Sequence, residues 1–159
     1  MYFTTMTSPF CELTLIANDI GLSAIHLNTE KKNLKSTVLT SLSRNDDFFK
    51  DYCKQLNEYF EGNRKQFNLS LDIQGTDFQK RVWKALMAIP FGELRSYKQI
   101  AAAVGNSNAS RAVGMANNKN PLPIVIPCHR VIGSNGSLTG FASGIELKQK
   151  LIQFESKSK

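Results

Sequence analysis

The stretch Asn120-Pro121-Leu122-Pro123-Ile124-Val125-Ile126-Pro127-Cys128-His129-Arg130-Val131-Ile132 sets a thiol, an imidazole and a guanidinium side by side behind three prolines. A cysteine attacks as its thiolate, and cationic neighbours favour that form. Cys128, beside Arg130 and the one imidazole of the second half, is therefore a candidate nucleophile. Adjacent side chains seldom face each other, so a Cys128 and His129 dyad needs a bridging water or a bent backbone, and a third group must orient the ring. The acids downstream are Glu146 and Glu155, and residue chemistry alone does not choose between them. Cys11 and Cys53 read as small buried hydrophobes, and His26 as a strand residue. The three cysteines form no CxxC pair, which fits reduced thiols rather than a disulfide framework. No metal is expected at the site, and Cys11, His26 and Cys53 lack a convincing fourth ligand for an N-terminal zinc.

The elements around this stretch must hold it still. Three prolines forbid a helix, and the apolar residues between them predict a buried, stiff, extended segment. Upstream, Thr76 can cap a helix over Phe78 to Ile89, whose apolar face is Phe78, Val82, Trp83, Leu86 and Ile89, and Pro90 ends it. Ser96 caps a helix to about Val104, Gly105-Asn106-Ser107-Asn108 turns, and a second short helix runs from Ser110 to about Asn117. Two short helices about a glycine turn predict a helix-turn-helix. The second helix carries Ala109, Ala112, Gly114 and Ala116, so its backbone can approach a neighbouring surface or a nucleic-acid groove closely; Arg111 is its one long cation. Leu147, Leu151, Ile152 and Phe154 predict a terminal helix with Glu155 near its end.

The first half has a different pattern. Two apolar runs between Leu13 and Leu27 flank Asn18-Asp19-Ile20-Gly21 and predict a hairpin. Phe48, Phe49, Tyr52, Leu56, Tyr59 and Phe60, closed by Gly62, predict an amphipathic helix, and Phe67 to Ile73 a short strand. Gly75-Thr76 marks the boundary, giving a scaffold domain over 1–74 and a second domain over 75–159. The expected class is α+β: a small N-terminal α/β domain with antiparallel strands, then a mostly helical domain with the helix-turn-helix.

Charge divides at the same place. Of the 159 residues 21% are charged, but residues 1–74 hold 8 basic and 9 acidic side chains, and residues 75–159 hold 12 and 4. The second half, at +8, has the sign a polyanion requires. With 42% apolar residues, no eighteen-residue apolar run and no basic-then-apolar leader, the expectation is a soluble intracellular protein, cytoplasmic or nucleoid-associated, or nuclear in a eukaryote.

The residues of the second half also resemble a known family. Phe78-xxx-Val82-Trp83, Pro90-Phe91-Gly92-Glu93, Ser96-Tyr97, Arg111-Ala112-Val113-Gly114, Asn120-Pro121 and Ile126-Pro127-Cys128-His129-Arg130-Val131 are similar to the O6-alkylguanine-DNA alkyltransferases over roughly residues 75–155. The resemblance implies direct damage reversal. Cys128 would take the alkyl group, chiefly methyl, from O6-alkylguanine and also O4-alkylthymine in duplex DNA, ending as a stable thioether after one turnover. His129 would activate the thiol through a water, Glu155 would orient the imidazole, and Asn120 would brace the segment. Ser96, Tyr97, Arg111, Ala112, Gly114 and Arg130 would meet DNA, with the small-residue helix in the minor groove, little sequence preference, and Arg111 filling the stack left by a flipped base. Tyr97, Val131, Phe141, Ala142, Ser143 and Lys148 would line the pocket, the carbonyls of Cys128 and Val131 accepting from the guanine amino group. The resemblance implies a monomer without cofactor. Phe141 and Ala142 depart from a loop that in relatives often has tyrosine and more glycine, which bears on alkyl groups larger than methyl.

Two other functions fit parts of the pattern. A lesion sensor would bind through the helix-turn-helix without chemistry, but alkyltransferase-like sensors lack the acceptor cysteine that is present here as Cys128. A cysteine hydrolase would need an oxyanion hole and turnover, and a basic groove is foreign to it.

Overall fold

The two apolar runs between Leu13 and Leu27 and the Asn18–Gly21 turn between them dictate a sheet. In the computed structural model, which describes residues 1–29, 34 and 36–159, β1 (Tyr2–Thr7), β2 (Glu12–Ala17) and β3 (Leu22–Asn28) form an antiparallel meander. After α1 (Ser36–Leu39), β4 (Ser43–Arg44) joins the free side of β1 in parallel, so the strand order is β3-β2-β1-β4. Asn18 closes the hairpin, its side-chain oxygen accepting from the amides of Ile20 and Gly21. The central strand buries Leu13, Leu15, Ile16 and Ala17. Its fully buried leucines each contribute roughly 1.5–3 kcal/mol of transfer free energy.

The helix α2 (Lys50–Phe60) brings Tyr52, Leu56 and Tyr59 into this core at helical spacing. It starts two residues later than the aromatic spacing suggests, because the Phe48 amide is used in a turn on the Asn45 side chain. The expected strand at Phe67 to Ile73 does not form. Asn68 donates to the Gln55 side-chain oxygen and its carbonyl accepts from the Gln55 amide. Only Leu71 bridges to Leu22, so the ladder has no row of partners along which to propagate. These elements make one unit, Met1–Ile73; Gln74–Lys159 make the other.

In the second unit, local sequence sets the helix starts. Thr76 and Gln79 close a capping box on α3 (Asp77–Met87), and Ser96 and Gln99 close one on α4 (Tyr97–Ala103). Gly105, at φ 88°, turns the chain toward α5 (Ser110–Asn118), completing the helix-turn-helix. Trp83, buried on α3, donates its indole N–H to the Ala116 carbonyl at 2.9 Å and so fixes α5 against α3. The strands β5 (Arg95–Ser96) and β6 (Val131–Ile132) pair in parallel, tying the start of α4 to the residues after Arg130. The last element is α6 (Ile145–Ser158). The pairings made by β1, β4, β5 and β6 have no local sequence signature. No helix among the described residues is long and apolar enough to cross a membrane.

Candidate active site

The segment expected to be extended is bent. The Ile126 amide donates to Leu122 O at 2.8 Å, Ile124 stands at φ 78°, and Cys128–Arg130 wind into a 3-10 turn. Asn120 holds this bend from both sides: its Nδ2 donates to Ile126 O at 2.8 Å and its Oδ1 accepts from the Leu122 amide at 2.9 Å. The prolines exclude a longer helix, and the turn then presents three successive functional side chains.

Two of the three side chains point to one carboxylate. The His129 ring, fully buried, has Nε2 2.6 Å from Glu155 Oε2. Arg130 donates from Nε to Oε1 at 2.8 Å and from Nη2 to Oε2 at 3.0 Å, and from Nη1 to Ile89 O at 2.6 Å. The Gly92 amide donates to Oε1 at 3.2 Å. Burial alone would raise the Glu155 pKa, but the His129 and Arg130 contacts outweigh it and hold the carboxyl well below the ordinary carboxylate range. Burial pushes the His129 pKa down, against the pull of Glu155. An ionised carboxylate can only accept, so the neutral ring carries its proton on Nε2 and leaves Nδ1 as the basic nitrogen. Among the described residues Nδ1 is buried without a hydrogen-bond partner.

Arg130 was expected to meet DNA. It is instead 6% exposed, its guanidinium fully engaged with Glu155 and Ile89 and lying 5.7 Å over the Phe91 ring. It orients the carboxylate rather than facing a polyanion. The choice between the two downstream acids is also visible. Leu147, Lys148, Leu151 and Glu155 share the buried face of α6, whereas Glu146 is exposed and pairs with Lys150 at 3.5 Å.

Cys128 itself is 4% exposed, and burial raises its thiol to about 11; the Asn120 side chain and the charge of Lys148 oppose that rise. The neighbouring guanidinium does not have the thiolate-favouring role that adjacency suggested. That role falls to Lys148, fully buried, whose Nζ donates to Thr139 O at 2.7 Å and lies 3.5 Å from Tyr97 Oη and 5.6 Å over the Tyr97 ring. Burial draws the Lys148 ammonium down to about 8, with Cys128 opposing. Tyr97 donates to the same Thr139 carbonyl at 2.6 Å. Gly140 follows at φ 73°, and a Cβ there would stand 2.6 Å from Tyr97 Oη, so the close approach requires glycine.

The structure thus gathers Cys128, His129, Glu155, Asn120, Lys148 and Tyr97, with Val131 buried in β6 and Phe141 buried in the following loop. Ala142 is exposed and Ser143 half-buried at the loop surface. Ser96 spends its hydroxyl on the α4 cap, Gly114 is half-buried, and Arg111 and Ala112 lie on the solvent face of α5. One residue of this region escaped sequence reasoning: Asn117, buried on α5, donates to the Cys128 and Gly140 carbonyls, each at 3.4 Å. Its signal was a polar residue on the inward row of Val113 and Ala116.

Comparison with known proteins finds the same architecture. Residues 77–157 match the DNA binding domain of 6-O-methylguanine DNA methyltransferase, and residues 1–73 match its ribonuclease-like domain. A methylated-DNA–protein-cysteine methyltransferase of Methanosarcina barkeri is 47% identical over 155 residues, covering 98% of this chain and 97% of that protein. The constitutive enzyme of that name from Bacillus subtilis is 46% identical, covering 97% and 94%. The crystal structure of the Mycobacterium tuberculosis O6-methylguanine methyltransferase superposes with TM-score 0.90 at 41% identity, over 99% of this chain and 94% of that one. A complex of the M. tuberculosis protein with DNA gives TM-score 0.89, with the same coverage.

Proposed function

The chain belongs to the 6-O-methylguanine DNA methyltransferase family, and from that premise we propose that Cys128 is the acceptor in its repair of DNA by alkyl transfer to cysteine. The protein binds DNA and restores a base by moving the alkyl group onto its own chain. The observation that carries the assignment is the Cys128–Arg130 turn: a buried thiol followed by a neutral imidazole whose Nε2–H is fixed by Glu155, which leaves Nδ1 to take a proton.

The step balances without a cofactor. The Cys128 proton passes through solvent to His129 Nδ1, and Glu155, itself held by Arg130, stabilises the imidazolium. The sulfur attacks the alkyl carbon in line; the S–C bond forms as the C–O6 bond breaks. The electron pair goes to the guanine, which takes up a proton from solvent as the imidazolium returns its own to solvent, so no proton is gained or lost overall. The thioether has no leaving group, so each protein molecule acts once. The same displacement at O4 of an alkylated thymine is chemically equivalent.

A thiol that is 4% exposed cannot meet a base inside a duplex, so the damaged nucleotide leaves the stack, at a cost of a few kcal/mol. The solvent face of α5, with Ala112 exposed and Arg111 projecting, suits entry into the minor groove, the guanidinium replacing the lost stacking partner. Recognition is then largely independent of sequence. The chain acts as a monomer.

The test is intact and peptide mass spectrometry after incubation with a duplex containing one O6-methylguanine, beside an undamaged duplex. One methyl group on Cys128, stoichiometric and only with the damaged duplex, is the expected result. Binding of the damaged duplex by a protein that stays unmodified would replace repair with lesion sensing.

A further inference from the structure

The inward row of α5 consists of Val113, Ala116 and Asn117. Asn117 is 2% exposed, and its Nδ2 donates to the Cys128 and Gly140 carbonyl oxygens, each at 3.4 Å. The amide can stand only this way round. Rotated by 180°, its oxygen would face two carbonyl oxygens and its two N–H groups would lose both acceptors. Asn117 Oδ1 is buried and lacks a hydrogen-bond partner among the described residues, so the contact to the two carbonyls is kept at the expense of an unsatisfied acceptor.

Those two carbonyls belong to different walls. Cys128 O is the backbone of the acceptor itself, and Gly140 O lies in the loop that continues through Phe141, Ala142 and Ser143 to α6. One residue earlier, Thr139 O ties that loop to α4 through Tyr97 and to α6 through Lys148. Neither of those bonds reaches the acceptor turn. Asn117 spans both, so it fixes how far the loop stands from the thiol.

We propose that Asn117 is a positioning residue for alkyl transfer that sets the width of the slot between Cys128 and the Gly140–Ser143 loop, and with it the preference for small alkyl groups. This rests on Cys128 being the acceptor. Cys128 O also accepts from the Val131 amide, so Asn117 and the start of β6 together engage both of its lone pairs and hold the acceptor backbone in place. Without Asn117 the loop keeps its Thr139 anchors but loses its register on the acceptor. A small methyl group then samples the in-line geometry less often, whereas a large group gains room.

The test is Asn117→Leu, of the same branched shape but bulkier and with no donor, compared with wild type in single-turnover transfer from O6-methylguanine and O6-benzylguanine duplexes at saturating DNA. Methyl transfer should fall about tenfold, and the benzyl-to-methyl rate ratio should rise several-fold. The damaged-duplex Kd should stay within about twofold, because the exposed face of α5 is untouched. Asn117→Ser, which keeps one donor and demands no space, should fall between the two and serves if the leucine variant does not fold. Equal losses on both substrates, or no loss on either, would overturn the proposal. Failure of wild type to become methylated on Cys128 would instead remove the acceptor assignment beneath it, and the parallel wild-type reaction separates the two failures.

Discussion

The two units bury different things. Among the described residues, Met1–Ile73 seals its core with apolar side chains and three neutral polar ones, Thr4, Thr14 and Gln55. Gln74–Lys159 buries Asn117, His129, Arg130, Lys148 and Glu155. Removing charge from water costs several kcal/mol per ion before partners offset it, and an apolar core of the same volume is often as stable or more so. On the function proposed above, the second unit retains its buried ions for chemistry. Their positions agree: each lies on the acceptor turn or on the face of α6 that packs behind it. The cysteines repeat the contrast. Burial raises the thiols of Cys11 and Cys53; at Cys11 a hydrogen bond with Ser8 opposes the rise and Glu12 adds to it, and at Cys53 Asp46 adds to it. Burial raises Cys128 as well, but there an ammonium and an amide oppose it.

The largest effect that can break this comparison is at the thiols themselves. Cys128→Ala should abolish alkyl transfer while leaving damaged-duplex affinity in place, and Cys53→Ala should leave the transfer rate unchanged. A methylated Cys128→Ala protein, or a Cys53→Ala protein that has lost transfer, would merge the roles of the two units. Next is Glu155→Gln, which leaves Arg130 buried without its carboxylate and frees the His129 ring. A buried pair broken on one side costs about 3–5 kcal/mol. Transfer should slow about a hundredfold, since the imidazole loses both its orientation and its counter-charge. The pH dependence has a fixed sign. The folded Glu155 pKa lies below its ordinary 4.5, so its contribution is complete above that pH and is lost as acid protonates the folded form. Urea melts of wild type should lose stability below about pH 4.5 more steeply than melts of the Gln variant; parallel curves would deny the carboxylate its role.

How much of this the sequence announced depends on the range of the interaction. The Thr76/Gln79 and Ser96/Gln99 boxes, the hairpin turn at Asn18 and the apolar faces of α3 and α6 are local, and the residues that make them stand within a few positions. The strands β1, β4, β5 and β6 exist through pairing with distant partners, and two-residue strands carry no period to read. The same division runs through the site. Proline spacing announced a stiff, extended segment carrying Cys128 and His129, and it could not show that the backbone bends at Ile124 or that Arg130 turns inward to Glu155 across 25 residues. Arg130 differs from its expected role for a general reason: a cation in a basic half reads as a polyanion contact until its partner carboxylate is located. Asn117 went unread because a buried amide is informative only once its acceptors are known.

The smallest effect sharpens the comparison most, because it separates stability from activity at one residue. Lys148 is a fully buried ammonium with a single short bond, to Thr139 O at 2.7 Å. Its folded pKa, about 8, lies below its ordinary 10.5. Below pH 8 the folded chain therefore carries a buried charge at a cost, and as pH rises past 8 that cost is relieved while the unfolded chain stays protonated. Stability should climb between about pH 8 and 9, until the Cys128 thiol, raised to about 11 from 9.0, begins to act in the opposite direction. Lys148→Met should hold or raise the Tm at pH 7 and remove the climb. Activity should move the other way, falling about tenfold at pH 7, as the thiolate loses its counter-charge. The rate profile gives a second readout. The reacting state, a thiolate and imidazolium beside charged Lys148, holds as many protons as the resting thiol, neutral imidazole and charged Lys148, so their ratio does not vary with pH below about 8. Wild-type transfer should therefore be level up to about pH 8 and fall as Lys148 loses its charge above it, while the Met variant shows no such fall. A Met variant that melts lower and reacts at the wild-type rate would make Lys148 an ordinary core residue, and the second unit's buried charge would need another explanation.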